Sequence, residues 1–286
     1  MKSKLNPFIW SGIVMVLALA LTLSVAPQGQ TYFEEQNFDS PDISLGPIVL
    51  YFFGVVVVMA LILFLIPLDK LRLVFRVLFA LMFAWGVLII TGFTLPMAMG
   101  ISLAVIFGVT WLFWARVWLH DLLLLVTLSG ASAVFGYLFA PLTFVIFMLI
   151  IAVYDVLAVR FGFMVWMADK LSDIDTLPAF IFPRKLRDFL ISVRSVRVGE
   201  LTKQKAAERE YSILGGGDIG IPLMLAASVL YQTGLESGII IGAFAFVGLM
   251  GAYLVQLFWY KDKPVPALPP IALACLAGYL VVHYAY

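Results

Sequence analysis

The sequence predicts an all-α polytopic membrane protein. Of its 286 residues, 63% are hydrophobic and only 12% are charged, and the mean hydropathy is +1.07. Soluble globular domains carry about twice that share of charge. Apolar stretches of about 20 residues, the length that a membrane-spanning helix needs, follow one another along most of the chain.

The apolar stretches predict nine membrane spans. The first one follows two lysines, as a signal peptide would, but it is long enough to span and no clean small-residue cleavage site follows it. We therefore expect it to be retained. The predicted spans are approximately 7–26, 43–66, 71–91, 95–114, 118–139, 141–166, 212–232, 236–259 and 266–285.

The basic residues predict the orientation. With nine spans, all 18 Lys and Arg residues fall on one side of the membrane, and the loops on the other side contain only acids as charged residues. Basic residues near span ends remain on the cytoplasmic side. The amino terminus is therefore expected in the cytoplasm and the carboxyl terminus outside, in a multi-pass protein of the cell membrane.

One membrane domain is expected. Residues 1–168 hold spans 1–6, residues 212–286 hold spans 7–9, and residues 169–211 form a cytoplasmic loop between them. From Leu186 to Arg197, apolar residues at helical spacing alternate with arginines. This pattern favours either a short helix lying on the membrane surface or a flexible linker held near lipid by its charge.

Two acids lie well inside predicted spans, Asp155 in span 6 and Asp218 in span 7. An intramembrane acid is costly and usually faces the interior of the bundle or a water-filled cavity. At 1.5 Å per residue both acids lie at compatible depths, so antiparallel spans 6 and 7 can bring the two carboxyls face to face. Such a pair would share a proton, and one carboxyl would activate water while the other protonates an amide carbonyl.

The neighbours of these acids are unusual for spanning helices. Three glycines precede Asp218, although each weakens a helix by roughly 1 kcal/mol relative to alanine. Ala152, Ala158 and Gly162 form a small-residue stripe on the face of Asp155, which would allow another helix to approach closely. A proline-rich segment, 263–270, opens span 9 from the same side, and its irregular backbone is tolerable only where protein or water surrounds it. His120, at the start of span 5, is interpreted as an interface residue.

Three motifs occur in order on these spans: Tyr154-Asp155, Gly215-Gly216-Gly217-Asp218 and Pro266-Ala267-Leu268. Together with nine spans, they resemble the presenilin and signal peptide peptidase family of intramembrane aspartyl proteases. The resemblance implies that transmembrane peptides or proteins in the lipid bilayer are the substrates. It also implies that Asp155 and Asp218 are the catalytic pair. The residues implied to shape the active site and the substrate cleft are Tyr154, Gly215, Gly217, Pro266, Ala267 and Leu268.

The sequence matches some members of this family better than others, and these differences give further expectations. The predicted cytoplasmic amino terminus is similar to that of presenilins rather than signal peptide peptidases. The short 169–211 loop and short amino terminus depart from eukaryotic presenilins, which argues against autocleavage in the loop and against a need for accessory subunits. The modest size favours a prokaryotic, archaeal homologue. No cofactor, metal or nucleic acid is expected, and the sequence leaves a homo-oligomer open.

A second class of function would use the same features. A proton- or cation-coupled transporter also places buried acids on glycine-broken helices, but it would be expected to show internal repeats and a site at the membrane midplane. No repeat is visible, and both acids lie toward one face. An ion-leak channel is the other alternative, and no filter-like sequence supports it.

Overall fold

The computed structural model describes residues 7–38, 44–204, 209–260 and 263–285. The described chain is mostly helical. Its helices are α1 (Pro7–Glu35), α2 (Leu45–Leu65), α3 (Leu68–Gly92), α4 (Met97–Phe113), α5 (Val117–Leu138), α6 (Pro141–Arg160), α7 (Phe163–Asp173), α8 (Val198–Lys203), α9 (Gly216–Thr233), α10 (Leu235–Val255) and α11 (Leu268–Ala285).

Seven of the described helices are long and apolar enough to cross a membrane. They are α1, α2, α3, α5, α6, α11 and α10 together with its π-helical extension to Tyr260. Helix α4 is apolar but has only 17 residues, and α9 is not among the seven. The prediction of a polytopic helical membrane protein is confirmed at this level.

Helix α1 is longer than the predicted first span, because it continues through Pro27 to Glu35. Proline removes one helical hydrogen bond and would ordinarily end or kink a helix. Here contacts with neighbouring helices hold the continuation in place. The Tyr231 hydroxyl of α9 donates to the Ala26 carbonyl at 3.0 Å. Gly29 lies directly under the Phe93 ring, which an added Cβ would approach to 3.2 Å.

The predicted sixth span, 141–166, is divided. Helix α6 ends at Arg160, Gly162 has φ +73°, and α7 begins at Phe163. Glycine adopts this left-handed conformation without steric cost, and it commonly terminates a helix. Ala152 and Ala158 are buried as predicted. Gly162 was wrongly placed in the same packing stripe, because it is the point at which the chain turns and an added Cβ there would contact nothing within 4 Å.

The segment between α7 and α9 contains a two-stranded antiparallel sheet that the sequence did not predict. Strand β1 (Ala179–Pro183) pairs with β2 (Tyr211–Gly215), in a register that places Ala179 opposite Gly215. All five residues of β1 are buried. Strand β2 continues directly into α9, so the sheet is attached to the helix that carries Asp218.

The stretch predicted as a surface helix or a flexible linker is neither. It forms two short 3₁₀ turns, Leu186–Leu190 and Val193–Ser195. Phe189 packs edge-on against Trp10 of α1 with ring centroids 5.4 Å apart, and Val193 is buried. The ring contact of Phe189 and the burial of Val193 fix the segment against the bundle.

Helices α5 and α9 form the centre of the bundle. Helix α5 packs against α1, α3 and α9, and buried residues recur along its whole length. Helix α9 packs against α5, α10, α1 and α6, and α11 packs against α10 and α6. Since α6 and α11 both border α9, the elements that carry the three predicted motifs are neighbours in space.

Candidate active site

Asp155 lies in the penultimate turn of α6 and is buried, with 5% of its surface exposed. Its Oδ2 accepts a hydrogen bond from the backbone N–H of Leu268, at 3.2 Å. Leu268 is the first residue of α11, and the first N–H groups of a helix have no acceptor within that helix. The Asp155 carboxyl satisfies one of these donors, which ties α6 to the start of α11.

Asp218 lies in the first turn of α9 and is half-buried. The backbone N–H of Gly215, at the end of β2, donates to its carboxyl group. Asp155 is near enough for its charge to act on the Asp218 carboxyl. The structure therefore brings together the two acids that the sequence singled out, across the packed pair α6 and α9.

The three glycines before Asp218 have different roles. A side chain on Gly215 would lie 3.1 Å from Asp218 Oδ2, and one on Gly216 would lie 3.0 Å from the Pro178 carbonyl oxygen, to which the Gly216 N–H donates. Gly217 has room, because an added Cβ would approach no atom closer than 4.0 Å. Sequence reasoning therefore missed Gly216, and steric crowding does not explain Gly217.

Tyr154 faces helix α2. Its ring makes edge-on contacts with Phe52 and Phe53, with centroids 6.0 and 5.4 Å away. Helix α2 has few other contacts in the described part of the chain; it packs mainly against α6 and α7, and Leu63 joins an apolar cluster with Leu71 of α3. Tyr154 thus joins α2 to the wall of the site, one residue from Asp155.

The Pro266-Ala267-Leu268 segment lies beside Asp155. Pro266 and Leu268 are buried, and Ala267 is partly buried against the main apolar core. Residues 264–267 form no regular structure before α11 begins. The irregular, proline-rich segment predicted from the sequence therefore places the Leu268 N–H donor beside Asp155.

Two further polar residues behind the site were not predicted. His120 is fully buried, and Asp121 has 9% of its surface exposed. Both bind the backbone of β1, so the interpretation of His120 as an interface residue was wrong. The signal was available in the sequence, since Asp121 is an acid beside a run of leucines, but its position at a span boundary suggested exposure to headgroups and water.

No group of three or more His, Cys, Asp or Glu side chains in the described part of the chain is placed to hold a metal ion. Two carboxyls near each other across packed helices, with backbone N–H donors beside them, form the arrangement by which an aspartyl protease shares one proton between two acids. The fold and the site together define a membrane-embedded aspartyl protease.

Comparison with known proteins agrees with this class. The family model described as signal-peptide peptidase, presenilin aspartyl protease matches residues 11–286. The chain belongs to this family. Comparison with curated proteins finds no match. The prediction of an intramembrane aspartyl protease acting on transmembrane substrates is confirmed at the level of the family, and the transporter or ion-leak alternative is not supported.

Two solved structures are similar in fold. Both are structures of a presenilin family intramembrane aspartate protease, one in space group C222 and one in P2. Each is 17% identical to this chain. The first has a TM-score of 0.58 and the alignment covers 96% of both chains. The second has a TM-score of 0.63 with 99% of both chains covered. At this identity the likeness shows the fold alone.

Proposed function

We propose that this protein hydrolyses peptide bonds of transmembrane helices with Asp155 and Asp218 as its acid/base pair and water as the nucleophile. The observation that carries the proposal is the hydrogen bond from the Leu268 N–H to Asp155 Oδ2. This bond supports the proposal because it joins the third motif to Asp155, and the charge of Asp155 acts on Asp218.

The chemistry follows from two carboxyls that hold one proton. The ionised carboxyl removes a proton from water as the water oxygen attacks the amide carbon, and the protonated carboxyl donates to the carbonyl oxygen. The carboxyl that took the proton from water then gives it to the nitrogen of the tetrahedral diol, and the other, now ionised, carboxyl removes a proton from one diol hydroxyl. The C–N bond breaks, and the pair again holds one proton. Because Leu268 occupies Oδ2 of Asp155, Oδ1 of the same carboxyl remains for water.

The outer edge of β2 supports a place for the substrate. His120 and Asp121 bind the Ala179 carbonyl and the Ile181 N–H. The backbone N–H and C=O groups of the odd-numbered residues of β1 therefore point away from β2. In the observed register, the backbone N–H and C=O groups of Ile213 and Gly215 then point away from β1, and the Gly215 N–H points to Asp218. An unwound substrate segment that paired with Ile213 would gain backbone hydrogen bonds and present an amide beside Asp218.

We place the protein in the cell membrane with nine spans, the amino terminus in the cytoplasm and the carboxyl terminus outside. In this arrangement α4 and α9 span in addition to the seven longer helices of one membrane domain. Strand β1 lies in the cytoplasmic loop 169–211, and β2 runs from the end of that loop into the start of the seventh span. Residues Tyr154, Gly215, Gly217, Pro266, Ala267 and Leu268 line the active site or the substrate cleft. No accessory subunit is required, and a homo-oligomer is compatible with the proposal.

The test is cleavage of a transmembrane peptide by purified protein in liposomes. Asp155→Asn and Asp218→Asn keep the size of each side chain and remove its ability to accept or donate the catalytic proton. Each is expected to lower the rate by at least about 10³-fold.

Asp173→Asn provides the matched control, because it makes the same change at an acid that is 41% exposed outside the site. Its rate should equal that of the unaltered protein. Cleavage by either site variant at a rate near that of the control would overturn the acid/base assignment.

A further inference from the structure

We propose that His120 and Asp121 are positioning residues that anchor strand β1 to helix α5 and thereby fix which substrate bond reaches Asp218. This inference rests on the proposed function, because it assumes that the substrate pairs with the outer edge of β2. It assigns to both residues a hydrogen-bonding role and no proton transfer.

His120 donates from Nε2 to the Ala179 carbonyl, at 3.2 Å. A carbonyl oxygen only accepts, so Nε2 carries the proton. The imidazole ring is held by aromatic neighbours on two other helices. It lies edge-on to Phe83 of α3, with centroids 5.5 Å apart, and 6.1 Å from Trp111 of α4. Phe83 and Trp111 are themselves buried and in contact, so the donor is rigidly placed.

Asp121 accepts from the backbone N–H of Ile181 through Oδ1, at 3.0 Å. The Ala179 carbonyl and the Ile181 N–H are two of the backbone groups by which an antiparallel third strand would bind this edge of β1. Two adjacent side chains of α5 occupy them. They compete with any strand that would pair on this edge of β1, which favours the outer edge of β2 as the side on which a substrate strand pairs.

The anchored strand is connected to the catalytic acid by backbone contacts. Pro178, immediately before β1, accepts the N–H of Gly216 at 3.0 Å, and Gly216 begins the helix that carries Asp218. Helix α5 also holds α9 directly, because Ser132 Oγ donates to the Gly220 carbonyl at 3.3 Å. Helix α5 therefore fixes both the sheet and the start of α9, so the offset between the β2 edge and Asp218 is constant.

A change in that offset has a specific consequence. Residues along a strand are about 3.3 Å apart, so a small movement of β2 relative to Asp218 brings the neighbouring amide to the acids. Releasing β1 from α5 should therefore spread cleavage over adjacent bonds as well as slow it. General loss of stability would lower the fraction of active protein without changing which bonds are cut.

The experiment compares removal of each hydrogen bond with its retention. Asp121→Leu and His120→Leu remove the hydrogen bonds to β1. Asp121→Asn keeps an acceptor in the place of Oδ1, and His120→Gln keeps a donor near the place of Nε2. The measurements are kcat, KM and the distribution of products by mass spectrometry, with a transmembrane peptide in liposomes. Asp121→Ala replaces the Leu variant if the latter does not purify folded.

The Leu variants should lower kcat about tenfold or more and add products cut at neighbouring bonds. Asp121→Asn and His120→Gln should restore the product pattern of the unaltered protein and bring kcat to within about threefold of it. An inactive Asp121→Asn would show that Asp121 transfers a proton and would overturn the inference. An unchanged product pattern in the Leu and Ala variants would overturn it as well. Cleavage by the unaltered protein and its loss in Asp218→Asn test the proposed function separately.

Discussion

At the scale of single residues, the hydrogen bond from the Leu268 N–H to Asp155 can be tested without altering Asp155 or Asp218. Leu268→Pro removes the donor, and proline is well tolerated in the first turn of a helix. A hydrogen bond to a charged group is worth about 1.5–3 kcal/mol. We expect Leu268→Pro to lower kcat about 10- to 100-fold while the protein remains folded by thermal unfolding.

The matched control is Leu268→Ala, which truncates the same buried side chain and keeps the N–H. Its loss of packing should lower stability more than catalysis. If both variants had equal kcat values, the hydrogen bond to Asp155 would have no part in the reaction.

Single residues were predictable where their chemistry conflicted with a membrane span. A carboxyl or three glycines in an apolar helix has few structural explanations, so Asp155 and Asp218 could be found from the sequence. Gly216 could not be separated from Gly217, because the difference lies in the Pro178 carbonyl, 38 residues away along the chain. Asp121 was noticeable as an acid beside a run of leucines, but the hydrogen-bonding role of His120 and Asp121 could not be assigned, because their partners belong to a strand that the sequence did not predict.

At the scale of elements, close packing of α10 on α11 positions the start of α11. An added Cβ on Gly248 would lie 2.6 Å from the Ile271 Cα and 3.0 Å from the Pro270 carbonyl oxygen. Backbone atoms cannot move aside as a side chain can, so α11 would be displaced one turn after Leu268. We expect Gly248→Ala to lower the free energy of unfolding by about 1–3 kcal/mol and to reduce kcat.

Gly251 lies one turn further along the same helix and serves as the control. An added Cβ there would meet the Pro270 Cβ at 3.7 Å, which is an ordinary contact. Gly251→Ala should leave activity unchanged and stabilise α10 by about 0.5–1 kcal/mol through its helix propensity. Equal effects of the two variants on thermal unfolding and on kcat would contradict the packing argument.

Long apolar helices were predictable, and short elements between them were not. Strand β1 has five residues, and a short apolar run of that length does not distinguish a strand from a helix segment or a loop. The division of span 6 at Gly162 was missed for a similar reason. Hydropathy continues past 160 into Phe163–Trp166, whereas the turn depends on one left-handed glycine.

At the scale of the whole molecule, an ionic cluster on Asp175 joins the segment between α7 and α9 to the bundle. Asp175 is 5% exposed, has φ +65°, and pairs with Arg76 and Arg72 of α3 and with Arg197 before α8. Removing one partner of a buried ion pair leaves its partners uncompensated, although the partial exposure of these arginines reduces the cost. We expect Asp175→Asn, which tolerates the same backbone conformation, to lower the free energy of unfolding by about 2 kcal/mol.

Thermal unfolding in detergent is the measurement, with Asp173→Asn as the control. Asp173 lies 3.9 Å from Arg197 and is 41% exposed, so its removal should change stability by no more than about 0.5 kcal/mol. A Tm for Asp175→Asn equal to that of the control would show that the cluster does not hold the segment.

The predicted orientation is a property of the whole chain, because nine spans would place all 18 basic residues on one side. The only cysteine, Cys275, is fully buried, so the unaltered protein provides an unlabelled background for a membrane-impermeant maleimide. Single cysteines at Gln36, Glu200 and Tyr284 would report the loop after α1, the segment before α9 and the carboxyl end; all three positions are exposed.

With nine spans, Gln36→Cys and Tyr284→Cys should react in intact cells, and Glu200→Cys should react only after the membrane is permeabilised. Glu200 and Tyr284 are separated by α9, α10 and α11. The two positions lie on opposite sides of the membrane if all three helices cross it, and on the same side if α9 does not. Reaction of Glu200→Cys and Tyr284→Cys from the same side would remove α9 from the spans. Asp218 would then lie in a helix that enters the bilayer without crossing it, and the predicted depth match with Asp155 would have to arise from that shorter insertion.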